Sequence, residues 1–119
     1  MIESRVAPRK AINTEGIYSI TDEKSAYEGH FFKNENNEME LLDISTSGCA
    51  FRTACLLPKG LHLRIQIRKF PVTRKKIDFI VLGETVYCRY HSRTDYRVGI
   101  RFMDIEKRLS GIIDSYVRK

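Results

Sequence analysis

The sequence predicts a mainly β fold, a six-stranded antiparallel barrel with one α-helix at its C-terminal end. Most of the chain alternates apolar and polar residues, which is typical of strands with one face in a core and the other in water. After Asp104, the apolar residues recur at the spacing of a helix instead. Short strands followed by one helix favour a small barrel, because closure leaves no open strand edge and the helix can cover one end.

Six segments carry the strand pattern, and polar or proline-containing turns separate them. The alternation is strict over 61–68 and over 96–102, so these two segments are the clearest strands. The predicted strands are 12–21, 38–44, 48–53, 61–68, 77–91 and 96–102.

The last segment is predicted to form a helix over about 104–118. Asp104 is suited to the N-cap position, whereas Gly111 lowers the stability of the helix by about 1 kcal/mol. We therefore expect packing against the barrel to hold the helix in place. The apolar residues that form one helical face are Ile105, Leu109, Ile112, Ile113, Tyr116 and Val117.

The composition is that of a single soluble domain. The chain has 119 residues, of which 42% are hydrophobic, and it contains neither a membrane-length apolar run nor a secretory signal. We therefore expect a cytoplasmic protein, with an N-terminal arm over 1–10 and a barrel domain over 11–119. The three cysteines have no metal-ligand spacing, and we expect Cys49 and Cys88 to be small buried hydrophobic residues.

Charge is unevenly distributed along a chain whose net charge is +6. The stretch 22–38 is rich in acids and its role is open, whereas the chain beyond residue 44 is strongly basic. A basic surface favours an anionic partner, which can be a nucleotide, a nucleic acid or an acidic protein face. Solvated surface, protein docking and nucleic-acid binding all remain open for a basic patch made of Arg64, Arg68, Lys69, Arg74, Lys75 and Lys76.

Two short segments contain residue types that suit one ligand, and the first is in the N-terminal arm. Arg5 and Arg9 lie four residues apart with Pro8 between them, which excludes a regular helix and favours an extended chain. A guanidinium group donates paired hydrogen bonds to phosphate or to the O6/N7 edge of guanine, and it stacks on purines. Two such groups can close on one ligand from two sides. Taken alone, the segment also fits a solvated basic tail.

The second segment spans residues 43–48, at the end of a predicted strand. Asp43 can accept hydrogen bonds from N1 and N2 of a guanine. Ser45 can bond to a ligand or hold the turn through a local hydrogen bond. Gly48 allows a positive φ and lets the main chain approach a flat base. Taken alone, the segment also fits a polar turn between two strands.

Together, the patterns Arg5-xxx-Arg9 and Asp43-x-Ser45-x-x-Gly48 resemble the signature of the PilZ domain family. Segment 41–51 is similar to the strand–turn–strand of the family, and 96–102 to its last strand. The spacing between the two motifs is long for the family, and Ser4 precedes Arg5, so one or two bound ligands remain possible. The resemblance implies a PilZ-type barrel that binds the bacterial second messenger cyclic di-GMP on its outer surface, through Arg5, Arg9, Lys10, Asp43, Ser45 and Gly48.

The resemblance also implies a sensor rather than an enzyme, with no cofactor, no metal and no insertion into a membrane. Ligand binding is expected to order the arm and to change what the protein contacts. Because only four residues precede Arg5, we expect the signal to pass to a separate protein partner. Two alternatives remain, namely a ligand-free interaction module with the same fold and a non-specific nucleic-acid-binding barrel.

Overall fold

The computed structural model describes residues 8–22, 37–72 and 74–118. Their strands follow the period of two seen in the sequence, because inward apolar side chains alternate with outward polar ones. The elements are β1 Lys10–Ile20, β2 Asn37–Ile44, β3 Gly48–Thr53, β4 His62–Val72, β5 Lys75–Ser92, β6 Asp95–Met103 and α1 Lys107–Val117.

The six strands close into one barrel in the order β1-β2-β3-β6-β5-β4, and every neighbouring pair is antiparallel. The predicted fold class is therefore confirmed. The largest difference in a strand boundary is at the end of β4, which continues to Val72 instead of ending at residue 68. A β-bulge between Ile67 and Phe70 breaks the alternation there, so the periodicity no longer marks the strand.

Inward side chains from the strands fill the barrel. Tyr18, Leu41, Phe51, Ile65 and Val98 are at most 1% exposed and come from five different strands. The rings of Tyr18 and Phe51 pack with their centroids 5.2 Å apart. This core fixes which side chains of each strand face outward, and the outward face carries the candidate site.

The C-terminal helix begins at Lys107, so the prediction that Asp104 caps it is wrong. Asp104 has a φ of 48°, a left-handed conformation at the end of β6 that aspartate tolerates better than most residues. Glu106 occupies the N-cap position without a side-chain hydrogen bond. Among the residues that the structure describes, there is no helix long and apolar enough to cross a membrane.

The buried face of α1 is the predicted one. Leu109, Ile113 and Val117 join the barrel core. The centroids of the Tyr116 and Phe70 rings are 5.0 Å apart. The Tyr116 hydroxyl donates a 3.0 Å hydrogen bond to the carbonyl oxygen of Ala11. The helix therefore packs at the barrel end where β1 begins and β4 ends.

The strands of the barrel are paired along their length on one side, whereas on another side two neighbouring strands are paired over only part of their length. β3 pairs with β6 along its whole length, whereas β1 and β4 pair only over residues 16–20 and 63–67. Just beyond that ladder, β-bulges interrupt both strands, between Ala11 and Thr14 in β1 and between Ile67 and Phe70 in β4. Bulges bend and twist a strand. The parted region, residues 12–15 and 68–71, is referred to below as the β1–β4 seam.

Candidate functional site

One residue from each sequence motif, Arg9 and Asp43, meets the other at the end of β2. The Asp43 carboxylate accepts a hydrogen bond from Nη1 of Arg9 at Oδ1 and another, of 2.7 Å, from Nη2 of Arg97 at Oδ2. The side chains of Asp43 and Arg9 are 16% and 46% exposed. The aspartate is therefore held between two guanidinium groups, one from the arm and one from β6, at the outer surface of the barrel.

Arg97 links this aspartate to an aromatic side chain. Its Nε donates a 3.2 Å hydrogen bond to the hydroxyl oxygen of Tyr87. Partial burial lowers the pKa of Arg97, but the hydrogen bond to Tyr87 and the charge of Asp43 outweigh burial and raise the pKa above its ordinary value. Arg97 therefore remains a cation that holds one oxygen of the carboxylate.

Small residues between Asp43 and Tyr87 leave a trough on the outer surface. Asp43 is in register with Ala50, Ala50 with Gly99, and Gly99 with Tyr87. A Cβ on Gly99 would lie 2.0 Å from Cε2 of Tyr87, so the ring can rest there only because residue 99 is glycine. A cavity of about 290 Å³ is lined by Arg9, Asp43, Cys49, Val86, Tyr87, Arg97, Gly99 and Ile100.

A row of three arginines crosses the surface beside this trough. Arg52, Arg97 and Arg89 are cross-strand partners on β3, β6 and β5. Like charges that face each other across strands repel, and each of these has a compensating partner. Arg97 pairs with Asp43, Arg52 pairs with a glutamate of β2, and Arg89 lies 4.3 Å from the centre of the Tyr87 ring. The row concentrates positive charge next to the trough.

Ser45 holds the turn between β2 and β3. The residue is 1% exposed, and its Oγ accepts hydrogen bonds of 3.2 Å from the N–H groups of Ser47 and Gly48. Its own N–H donates to the carbonyl oxygen of Gly48 at 2.8 Å. Of the two roles that the sequence left open for Ser45, the structure describes the turn, which fixes the strand end that carries Asp43.

Gly48 does not use the positive φ that glycine allows, because the residue lies outside the left-handed region. Glycine is required there for a different reason. A Cβ on Gly48 would lie 2.0 Å from the carbonyl oxygen of Ile100, since the main chain of β6 fills that space. The close approach at Gly48 is thus between neighbouring strands.

Lys10 and Arg5 are the two remaining predicted residues. Lys10 is the first residue of β1, and its Nζ is 4.6 Å from the centre of the Tyr116 ring and 3.4 Å from the Tyr116 carbonyl oxygen. Lys10 therefore contacts α1. Arg5 lies outside the described residues. The structure thus joins Arg9 to Asp43 directly, with Ser45 and Gly48 in the adjoining turn.

Sequence reasoning missed Arg97 and Tyr87. Arg97 was recognised only as a polar position of an alternating strand, and the register with β2 was needed to bring it to Asp43. A β-bulge between Thr85 and Tyr87 hides the outward position of Tyr87. The usable signal was the pair Arg97-x-Gly99, which places a cation and a missing side chain on one strand face.

Behind the trough, Cys49 faces the core and is 2% exposed, as predicted. Burial, with a further contribution from the charge of Asp43, raises the pKa of the Cys49 thiol to about 12. Cys88 is only partly buried. Within residues 8–22, 37–72 and 74–118, no group of three or more histidine, cysteine, aspartate or glutamate side chains could hold a metal ion.

Comparison with solved structures identifies two similar proteins. The Bacillus subtilis inhibitor of motility MotI/DgrA matches with a TM-score of 0.71 and 14% identity, over 98% of this chain and 50% of that one. The PilZ domain of YcgR from Escherichia coli, in a structure with c-di-GMP, matches with a TM-score of 0.68 and 11% identity, over 98% and 90%. The chain thus spans about half the length of the MotI chain. At these identities the likeness is one of fold. A search of curated proteins gives no match.

The family model for the PilZ domain matches residues 3–119, which is nearly the whole chain. The matched region contains both motifs and every strand of the barrel. The six-stranded barrel and its C-terminal helix also agree with the fold of the YcgR PilZ domain. On this evidence, the chain belongs to the PilZ domain family.

Proposed function

We propose that this protein is a receptor for cyclic di-GMP that orders its N-terminal arm around the ligand and signals to a separate protein partner. The observation that carries the proposal is the contact between Arg9 and Asp43, 34 positions apart in the sequence. The contact brings one residue of each motif to the same point on the outer surface, beside the trough and the arginine row.

Guanine complements the groups at this point. Its N1–H and N2–H groups donate to a carboxylate such as Asp43, and its O6 and N7 accept from a guanidinium group such as Arg9. Ion pairs as exposed as Arg9–Asp43 contribute little to stability, so a guanine can displace that contact at small cost. Arg97 then keeps its hold on Oδ2 and keeps the carboxylate oriented.

The two phosphates of the ligand need cationic partners, and the arginine row beside the trough offers them. Arginine suits phosphate because its planar group donates two parallel hydrogen bonds. We assign this role to Arg52, Arg97 and Arg89, together with Arg5 of the arm. In this proposal Lys10 adds positive charge where the arm enters β1, while Ser45 and Gly48 maintain the turn.

The proposed role is that of a receptor, since the site is assigned to bind and to release the ligand unchanged. The PilZ family supports this class of function, one similar structure contains c-di-GMP, and the other is named an inhibitor of motility. The three free cysteines fit the reducing cytoplasm, which we propose as the location.

Isothermal titration with cyclic di-GMP tests the proposal. We expect saturable binding, and we expect Arg9→Ala and Asp43→Ala each to weaken it by about tenfold or more, because each removes a bidentate contact to guanine. Arg64→Ala is the matched control, since this exposed arginine of β4 lies outside the trough. Cyclic di-AMP should bind more weakly, because adenine lacks O6 and the N1–H and N2–H donors.

Two results would contradict the proposal. Absence of binding to the unmodified protein would leave the ligand-free interaction module as the better description. Equal affinities for the unmodified protein, Arg9→Ala and Asp43→Ala would show that the nucleotide binds at another place.

A further inference from the structure

The β1–β4 seam contains the cavity from which the inference is drawn. The cavity has a volume of about 430 Å³ and lies between the bulged segments of the two strands. It is lined by Ile12, Asn13, Thr14, Glu15, Arg68, Lys69, Pro71 and Lys76.

A side-chain hydrogen bond crosses the seam beyond the point where main-chain pairing stops. The hydroxyl of Thr14 donates a hydrogen bond to the carbonyl oxygen of Arg68, where a regular ladder would supply a main-chain N–H. Lys69 has a φ of 54°, and its N–H donates to the carboxylate of Asp78 at 2.9 Å, on the β5 side. The β1–β4 ladder covers only residues 16–20 and 63–67. Each strand therefore borders the cavity with an edge outside the β1–β4 ladder.

The charge at the seam is mostly positive. Arg68, Lys69 and Lys76 are exposed lining residues, and Glu15 is the acid among them. In the part of the chain that the structure describes, none of the three cations is in an ion pair. This contrasts with Arg9 and Arg97 at the nucleotide site, which both bind Asp43.

We propose that the seam binds an extended, acidic segment of a partner protein. The segment would add to the β1 edge through main-chain hydrogen bonds, because on β4 the Arg68 carbonyl oxygen and the Lys69 N–H already have partners and Pro71 has no N–H. Its carboxylates would meet Arg68, Lys69 and Lys76. This recognition uses a surface separate from the trough at Asp43, so it goes beyond the proposed nucleotide binding. Charge complementarity and an available strand edge together select this class of partner.

A nucleic acid fits the same surface less well. The described residues that line the cavity include no aromatic side chain on which bases could stack, and Glu15 would repel a phosphate. A strand edge, by contrast, offers donors and acceptors at the repeat of a polypeptide main chain.

Fluorescence anisotropy with labelled octapeptides tests the proposal, in the absence of nucleotide. A peptide of alternating glutamate and valine should bind, because it carries acidic side chains and can form a strand. A peptide of alternating glutamate and proline has the same charge, but its prolines have no N–H to donate. It should bind at least tenfold more weakly. A peptide of alternating lysine and valine should not bind.

Substitutions on the protein locate the contact. Lys76→Ala and Lys69→Gly should each lower the affinity for the glutamate–valine peptide by about tenfold, because each removes one charge-assisted hydrogen bond. Glycine at residue 69 suits the positive φ, so this variant should keep the fold. Arg64→Ala is the matched control, because Arg64 is an exposed cation of the same strand outside the cavity, and it should bind normally.

Three outcomes would overturn the proposal. The first is equal binding of the glutamate–valine and glutamate–proline peptides, which would indicate attraction of charge without strand pairing. The second is equal weakening by Arg64→Ala and Lys76→Ala. The third is tighter binding of a single-stranded oligonucleotide, lost on Lys76→Ala, which would assign the seam to nucleic acid. An Asp43→Ala variant should bind the peptide normally, so failure at the seam and failure at the nucleotide site remain distinguishable.

Discussion

The closely paired side of the barrel and the β1–β4 seam hold their charges in opposite ways. On the paired side, Arg9 and Arg97 share the Asp43 carboxylate, and β3 pairs with β6 along its whole length. At the seam, Arg68 and Lys76 border a cavity between bulged strands and, among the described residues, have no ion-pair partner. The same barrel thus has one surface with internally satisfied charge and one surface with available charge.

This difference indicates two kinds of recognition. A ligand at the paired side must offer groups that match those it displaces, since Arg9 and Asp43 already satisfy each other. Such a site discriminates by hydrogen-bond pattern, because a wrong ligand leaves buried or oriented polar groups without partners. The seam lacks this requirement, so main-chain pairing and net charge govern what it accepts.

The largest expected effect concerns how closely the paired side is packed. Gly48→Ala should lower the free energy of unfolding by about 3 kcal/mol, because its Cβ would lie 2.0 Å from the Ile100 carbonyl oxygen. Gly111→Ala is the matched control, since a Cβ on this helical glycine would have no neighbour within 4 Å among the described residues outside the helix's own backbone. It should raise stability by about 0.5–1 kcal/mol. Urea denaturation measures both, and equal effects would mean that β3 and β6 can move apart freely.

A second comparison uses one threonine from each side. Thr53 hydrogen-bonds the Tyr18 hydroxyl at 3.0 Å and the Glu38 carbonyl oxygen at 3.2 Å in a buried setting. Thr53→Val should therefore lower the free energy of unfolding by about 2 kcal/mol. Thr14→Val removes the hydroxyl that bridges the seam, but water can replace it there, and the cost should be about 0.5 kcal/mol. Similar losses of unfolding free energy would show that the seam is as closed as the core.

Much of the fold could be predicted from the sequence, and the reason is physical. Alternation with one buried face is typical of strands in a small barrel, so the segments 61–68 and 96–102 stand out. Prediction was wrong or incomplete where a local conformation interrupts the period. The bulge before Phe70 hid the end of β4, and the left-handed Asp104 delayed the start of α1.

The candidate site was predictable only in part, because register is not visible in one sequence. The motif pair identified Arg9 and Asp43, whose contact the structure describes. Arg97 and Tyr87 reach the same point through pairing of β3 with β6 and of β6 with β5, which periodicity alone cannot supply. The seam was equally hidden, because the sequence leaves solvated surface, protein docking and nucleic-acid binding open for its basic residues and does not show that two bulges face each other.

The next prediction concerns the fixed partner of Asp43. Arg97→Ala should lower the affinity for cyclic di-GMP by about tenfold. Asp43 would lose the group that orients it, and the arginine row would lose its central cation. Arg97→Lys keeps the charge but loses the hydrogen bond from Nε to Tyr87, and it should recover only part of the affinity. Titration of both variants against Arg64→Ala checks this. Full affinity in Arg97→Ala would confine recognition to the arm and Asp43.

The smallest expected effect is on the pH dependence of stability, and it tests whether water is excluded from the core behind the paired side. The pKa of Cys49 is raised from 9.0 to about 12 in the folded protein, so the folded state keeps this proton while the unfolded chain loses it. The stability associated with the neutral thiol is therefore complete below about pH 9 and declines as the pH rises toward 12. Between pH 8.5 and 10, the free energy of unfolding should fall by about 1 kcal/mol more in the unmodified protein than in Cys49→Ala.

Urea titrations at several pH values measure this difference. Lysine and tyrosine residues titrate in both proteins, so only the difference between the two slopes reports on residue 49. Parallel slopes would mean that water reaches the thiol through the wall of β3. In that case the trough would not rest on a rigid, closed sheet, and Asp43 would lack the fixed support from which its selectivity for guanine is argued. A steeper slope in the unmodified protein would instead show that β3 excludes water from the Cys49 thiol, and that the sheet beneath Asp43 is closed.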